Sequence, residues 1–371
     1  MNSVDLAQLR VALLAGTLGQ GGAERQLFYI ARALHESGTQ VRVISLTQGE
    51  HWEKPLQDVG VPVSWLGRET NRLARLRRIT ANLRTAPAQI IQSQHFYTNL
   101  YAALAGRFTG TPDIGAIRSN VHSEIASHRW LGGVSLRAPS WLAANSRNAI
   151  HNAEQVGVPR ARLHWLPNVI DTTIFQPSLT PRTENAFTVL MVGRMSAEKR
   201  FDLFIHALAA LKYRVNRAFP IRGVLVGDGP LRSQWERLAA TCGLTGEEIH
   251  FAGAQAEMTA FYQRADAVVL LSDFEGTPNV ILEAMACGLP ALASAVGDLP
   301  LMLRPSETGW VIALKDDEDQ IREVAQGLYT LARDANRRRQ MGAAARAYVL
   351  QHHALAQLAG YLRQLYQAVL A

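Results

Sequence analysis

The strongest constraint on this chain is an alternation that runs through twice. In the first half, apolar runs at Arg10–Ala15, Val41–Leu46, Val61–Leu66, Gln89–Ser93, Ile114–Ile117, Trp141–Ala144 and Leu163–Leu166 are separated by stretches of helical periodicity. In the second half the runs are Phe187–Val192, Val224–Val226, Ile249–Ala252, Ala267–Leu271, Ala291–Ser294 and Trp310–Ala313. Strands that alternate with helices predict a mostly parallel sheet covered on both faces, so each half reads as an α/β domain. Between Asp171 and Asn185 the alternation stops, and Gln176-Pro177-Ser178-Leu179-Thr180-Pro181 reads as a linker. The expected division is residues 1–175, residues 186–350, and an apolar-striped C-terminal helix within 351–371.

Composition narrows the classes. A chain of 371 residues with 48% hydrophobic side chains can bury two cores of ordinary size. Its two cysteines, Cys242 and Cys287, show no metal-ligand spacing and fit a reducing compartment. No signal-peptide pattern is visible, and the longest apolar candidate, Ala284–Ala295, is broken by Gly288 and Pro290. The expectation is a cytoplasmic protein. The net charge of +7 points to an anionic partner: nucleic acid, a membrane surface or a small anion.

One segment selects among these. Ser272–Pro290 reads as a strand-to-helix turn, with Thr277 as expected N-cap, Pro278 at the first helical position and Gly288 past the end. A helix start is a seat for phosphate. Yet Glu275 and Glu283 bracket it, and carboxylates there suit hydroxyl groups instead. Phosphates flanked by hydroxyl-rich units describe a nucleotide sugar.

Two further loops fit that ligand. Gly16-Thr17-Leu18-Gly19-Gln20-Gly21-Gly22 joins a strand to a helix, where backbone can approach a phosphate or sugar; an ordinary connection of an α/β domain is the other reading. It lacks the G-x-G-x-x-G pattern, which argues against a nicotinamide dehydrogenase. After Phe187–Val192, Arg194 and Lys199 could hold a diphosphate, or could be two ordinary surface cations.

Together these motifs carry a resemblance. G-R-x4-K (Gly193 to Lys199), L-V-G-D-G-P (Leu225 to Pro230), F-A-G (Phe251 to Gly253) and E-G-x-P-x4-E-A-M-A-C-G-L-P (Glu275 to Pro290) resemble the retaining glycosyltransferases of family 4. Gly21-Gly22-Ala23-Glu24 and Leu166-Pro167-Asn168 with Ile170-Asp171 are similar to that family as well. The resemblance implies the GT-B fold: two Rossmann-like domains facing across a cleft, the C-terminal helix crossing back to the acceptor-side N-terminal domain. It implies a UDP- or GDP-sugar donor and a glycan or lipid-linked acceptor, with no cofactor and no metal. Glu283 would hold ribose hydroxyls and Glu275 would lie by the transferred sugar. Gly276, Thr277 and Asn279 would meet sugar and phosphates through their backbone. Arg194 and Lys199 would bind the diphosphate, Gly21 and Gly22 would close over it, and Ala254 would border the base.

The acceptor side departs from the family. Where a histidine is usual after Ile114–Ile117, this chain has Arg118-Ser119-Asn120, with His122 nearby; His95 ends the preceding strand. Both Arg118 and His95 are candidate site residues. Arg68–Arg84 carries six arginines against Glu69, with Leu73, Leu76, Ile79 and Leu83 roughly on one side. It reads either as a contact for an anionic membrane or as a solvated helix packed on its own sheet. Nucleic acid is not expected, because no binding module and no aromatic residues interleaved with the basic ones occur. An epimerase or phosphorylase of the same fold, and a nucleotide-sugar-binding module without turnover, are the alternatives.

Overall fold

The computed structural model describes residues 4–68, 71–128, 130–179, 186–215 and 218–371. The chain forms two compact units, Met1–Val169 with Leu355–Ala371, and Ile170–Ala354. The first division therefore falls between Val169 and Ile170, not after residue 175. The reason is local. Ile170 donates its N–H to the His353 carbonyl at 2.7 Å, and Phe175 is buried in the second unit's core with Tyr262 and Met285. The proline-rich linker hid this, because residues 170–175 just before it lack helix or strand periodicity. Residues 180–185 of that linker lie outside the described residues.

The first unit is a seven-stranded sheet: β1 (Arg10–Ala15), β2 (Gln40–Ser45), β3 (Val63–Trp65), β4 (Ile90–Ser93), β5 (Asp113–Ile117), β6 (Trp141–Ala144) and β7 (Leu163–Trp165). Its order is β3-β2-β1-β4-β5-β6-β7, with every pairing parallel. The second is six-stranded: β8 (Phe187–Val192), β9 (Ile221–Val226), β10 (Ile249–Gly253), β11 (Ala267–Leu270), β12 (Ala291–Ser294) and β13 (Gly309–Ile312). Its order is β10-β9-β8-β11-β12-β13, also parallel throughout. The strands read from apolar runs are those observed, to within a few residues. The central strands are too apolar to face water, so helices cover both faces, while the edge strands β3 and β10 are partly exposed.

In both sheets the chain adds strands outward on one side, then crosses the first strand to continue on the other. The strand order reverses between β1 and β4, and again between β8 and β11. Such a switch point leaves a crevice beyond the carboxyl ends of the two strands, where open α/β sheets bind ligands.

The C-terminal helix, Leu358–Leu370, belongs to the first unit. Leu358, Leu362, Leu365 and Tyr366 are buried with Leu27, Ile30 and Leu34 of helix Gly22–Glu36. Burial of such side chains stabilises by roughly 1.5–3 kcal/mol each. Tyr366 also donates to Gln92 Oε1 at 2.7 Å, so the one polar atom this aromatic carries inward is satisfied.

The basic segment forms the helix Arg72–Thr85, capped by Asn71, whose side chain accepts from Leu73 N at 2.8 Å. Ile79 and Leu83 are buried against Leu14, Ile44 and Ile91 of the sheet, so most of the apolar side is covered by the protein itself. Arg75 lies 5.7 Å over the Tyr101 ring, and Arg78 donates to the Leu66 carbonyl. Arg72, Arg77 and Arg84 are exposed, as is Leu73. Glu69 and Thr70 lie outside the described residues.

Candidate functional site

The carboxyl edge of the second sheet brings together most of the donor-side candidates. Lys199, in the loop after β8, places Nζ 2.5 Å from Glu275 Oε1, in the loop after β11. The pair spans the switch point and is largely shielded, with side chains 23% and 14% exposed. Ser272 Oγ donates to the same carboxylate oxygen at 2.8 Å. Asp273 N donates to the Glu198 carbonyl at 2.9 Å, joining the two loops through backbone. Arg194 is exposed and makes no ion pair among the described residues. Burial opposes the charge on Glu198, but the hydrogen bond from Ser196 and the charges of Lys199 and Arg194 outweigh it and hold its carboxyl below the usual range.

The helix that follows runs Asn279–Ala286, with Pro278 at the N-cap position. It therefore starts one residue later than the proline rule predicts. Pro278 has ψ 123° and is extended, which puts Thr277 outside the helix, buried at 3% exposure. Gly288 ends it at φ +78°, as its position in the sequence implies. Gly276 is buried and Asn279 half-buried at the helix start. Glu283, one turn in, is 3% exposed and accepts from Tyr262 Oη at 2.8 Å. Ala254 is exposed after β10.

Two residues that shape this edge carried no clear sequence signal. Gly297 has φ +56°, and a Cβ there would lie 2.1 Å from the Gly276 carbonyl oxygen. The next residue's N–H, that of Asp298, donates to that carbonyl at 3.1 Å. The loop after β12 thus clamps the Glu275–Gly276 backbone, and only glycine fits at position 297. Arg200, in the left-handed region at φ +47°, pairs with Asp202 at 3.1 Å and Asp317 at 2.7 Å. These carboxylates more than offset its burial and raise its pKa. It anchors the loop that carries Lys199.

The first sheet's carboxyl edge is built differently. Gly16, the first residue past β1, donates its N–H to His95 Nδ1 at 3.1 Å. Nδ1 is therefore the acceptor, so Nε2 carries the hydrogen and faces Glu24 Oε1 at 3.1 Å. Both ring nitrogens are engaged, and His95 acts here as a strut across the β1/β4 switch point. Glu50 holds the same loop from the other side: its Oε2 accepts from Thr17 Oγ1 at 2.8 Å, Thr47 Oγ1 at 2.6 Å and Leu18 N. Burial opposes the Glu50 charge, yet these hydrogen bonds prevail and keep its carboxyl below the usual range. Gly21 and Gly22 are exposed at the start of helix Gly22–Glu36. Glu50, Thr17 and Thr47 escaped the sequence reading because their contacts join separate loops.

Arg118 is the first residue past β5. Its Nη2 donates to Gln94 Oε1 at 3.0 Å, and Gln94 is the first residue past β4. Asn145, the first past β6, donates to the Arg118 carbonyl at 3.0 Å. Burial pushes the Arg118 guanidinium down to about 10. In the helix after β5, burial pushes the Glu124 carboxyl up to about 7. His122 is exposed there. Among the described residues no cluster of three His, Cys, Asp or Glu side chains is placed to hold a metal ion. No described helix is long and apolar enough to cross a membrane.

Two Rossmann-like units, each with a parallel sheet and polar groups gathered at its switch point, are the architecture of the GT-B class. Among solved structures, Anabaena HepE in complex with UDP-glucose matches with TM-score 0.81 and 19% identity, over 97% of this chain and all of that one. Residues 20–174 match the model of "Glycosyltransferase Family 4" and residues 173–348 that of "Glycosyl transferases group 1". The chain belongs to this glycosyltransferase family. A relative from Mycobacterium tuberculosis, named as a GDP-mannose-dependent α-(1-6)-phosphatidylinositol monomannoside mannosyltransferase, is 31% identical over 208 residues. That match covers 52% of each chain, so this chain spans about half the length of that relative. A Campylobacter jejuni α-1,4-N-acetyl-D-galactosaminyltransferase, named for a diphosphoundecaprenol-linked acceptor, is 25% identical over 75% of this chain and 77% of its own.

Proposed function

We propose that this protein is a retaining hexosyltransferase that moves a sugar from a UDP- or GDP-sugar to a glycan or lipid-linked acceptor in cell-surface polysaccharide or glycoconjugate synthesis. The observation that carries this is the Lys199–Glu275 pair across the β8/β11 switch point, beside the start of helix Asn279–Ala286. The relatives' names support both halves of the reaction: a nucleotide-sugar donor and an acceptor attached to lipid.

The second unit takes the donor. An ammonium has three N–H donors, and Glu275 engages one of those of Lys199. The others, with Arg194 and the backbone N–H groups of Thr277 and Asn279, meet the diphosphate. Each preorganised donor of this kind contributes roughly 3 kcal/mol to lowering the barrier. Glu275 lies by the transferred sugar, and Glu283, oriented by Tyr262, takes the ribose hydroxyls. The anomeric carbon–oxygen bond to the diphosphate breaks, the acceptor oxygen bonds to the same face of that carbon, and its proton passes to the leaving phosphate. No cofactor is required, and the leaving charge is met by cations of the chain rather than a metal. In the first unit, His95 holds the glycine-rich loop rather than serving as a base.

The enzyme works in the cytoplasm, at the inner face of the membrane. Its apolar helix side being covered, Arg72, Arg77 and Arg84 supply an electrostatic contact with anionic lipid.

The test is a thermal-shift screen of UDP- and GDP-sugars with and without EDTA. A ligand at a hundred times its Kd stabilises by about 2.7 kcal/mol. One base family is expected to raise Tm, equally with the chelator present. No response to any nucleotide sugar overturns the reading.

A further inference from the structure

The carboxyl edge of the first sheet holds a cation without an anion. Arg118, Gln94 and the backbone of Asn145 stand side by side beyond β5, β4 and β6, three adjacent strands. The Arg118 guanidinium makes one hydrogen bond to a side chain, and that partner is a neutral amide, Gln94 Oε1. Its Nε is buried with no partner. Gln94 is fully buried; its carbonyl oxygen takes Arg118, and its Nε2 is likewise buried with no partner. Among the described residues no carboxylate pairs with Arg118. Two acids of this edge are engaged elsewhere, Glu24 with His95 and Glu50 with Thr17, Thr47 and Leu18 N, and burial favours the protonated form of a third, Glu124.

Buried polar groups are nearly always paired, and an unpaired buried donor is costly. Here two orphaned donors lie on hydrogen-bonded residues just past neighbouring strands, and one belongs to a cation. Both call for acceptor atoms, and the cation calls for negative charge. A planar guanidinium edge with an amide N–H beside it matches two oxygens of one oxyanion. Arg118 as a whole is half-buried, while its Nε and Gln94 Nε2 are shielded from solvent. The lowered pKa of Arg118, caused by burial, agrees with a missing counter-charge.

We propose that Arg118 Nε and Gln94 Nε2 form a seat for an oxyanion, a phosphate or carboxylate carried by the acceptor. The acceptor is thus an anionic molecule, bound through its charge while a hydroxyl elsewhere on it is glycosylated. This rests on the reading of the chain as a glycosyltransferase only for calling the ligand the acceptor; the seat itself stands on the geometry.

The test uses the full chain and three probes: inorganic phosphate, glucuronate and glucose. Binding is read by thermal shift in the wild type, in Arg118→Gln, in Gln94→Leu and in Lys199→Ala, the last because phosphate also fits the donor side. Phosphate or glucuronate is expected to stabilise the wild type and Lys199→Ala, and glucose is not. Arg118→Gln is expected to weaken that binding about ten- to hundredfold, the loss of a charge-assisted hydrogen bond. In the wild type the ¹⁵N-labelled Arg118 Nε–H resonance is expected to move saturably with the same probe, a readout that survives if the variants fail to fold. Displacement of the probe by phosphatidylglycerol vesicles identifies the anion as a lipid headgroup; failure to displace identifies a soluble or glycan-borne anion, and either supports the seat. Equal protection of Arg118→Gln, or an unmoved Nε–H, overturns it. Nucleotide sugars serve as a separate arm: if they bind while the Arg118 seat fails, only this inference falls, and the reverse result removes only the donor reading.

Discussion

The two switch points have the same topology and are bridged by different chemistry. Between β1 and β4 the bridge is neutral, from the Gly16 N–H to the His95 imidazole. Between β8 and β11 it is an ion pair, Lys199 to Glu275. A neutral bond to backbone fixes the course of a loop and has nothing to exchange with a ligand. A charged pair can share its donors and acceptors with an incoming diphosphate and sugar. On the proposed function, chemistry belongs to the second edge and shape to the first, where Arg118 has no carboxylate partner among the described residues.

The sharpest way to break that contrast is at the ion pair. Lys199→Ala and Glu275→Ala are each expected to lower kcat by about a hundred- to thousandfold or more, with near-normal folding by circular dichroism. Near-normal transfer by both variants removes the charged edge from the chemistry. Next in size is Gly297→Ala. Its Cβ would meet the Gly276 carbonyl oxygen at 2.1 Å, so the Glu275 loop must shift. An ångström of misplacement costs on the order of a hundredfold in rate, and strain at a positive φ costs about 1–3 kcal/mol of stability. Steady-state kinetics and urea melts measure the two separately; unchanged kinetics would mean that the clamp does not position Glu275.

What was legible divides along the same line. Strands were legible because apolar runs of that kind have one use in an α/β unit, and the E-x7-E segment because its spacing is local. Thr277 was misplaced by one residue because Pro278 takes the extended cap conformation instead of the first helical one. The clamp at Gly297 and the Glu50 network could not be read, since each joins loops far apart in sequence. His95 was legible as a strand-end histidine, but its hydrogen-bonded state depends on Gly16 and Glu24, which only the fold brings to it.

At the neutral edge, His95→Ala is expected to act more weakly than the ion-pair variants and through a different parameter. It leaves the Gly16 N–H and Glu24 without their partner, a loss of about 1–3 kcal/mol for a buried group. The glycine-rich loop loosens, so KM is expected to rise several-fold with kcat changed less. His95→Asn, which restores an acceptor for Gly16, is expected to recover part of the loss. A fall in kcat as large as that of Lys199→Ala would make His95 a catalytic group and erase the distinction between the two edges.

The smallest effect concerns acids. On the second edge Glu198 is held below its usual range by neighbouring cations and Ser196 despite its burial. On the first, Glu124 is pushed from an ordinary 4.5 up to about 7 by burial. An acid whose pKa is raised by folding binds its proton more tightly in the native state. Its contribution is favourable below pH 4.5 and is lost as pH rises through 7. Glu124→Gln, a mimic of the protonated form, is therefore expected to match the wild type near pH 4.5 and to exceed its stability at pH 8. The gain is at most about 3 kcal/mol, and less where solvent screens the charge. Urea melts across this range check it: a difference that stays constant with pH would mean that folding leaves the Glu124 carboxyl unshifted, so that at neutral pH the first edge carries a negative charge close to Arg118 in sequence.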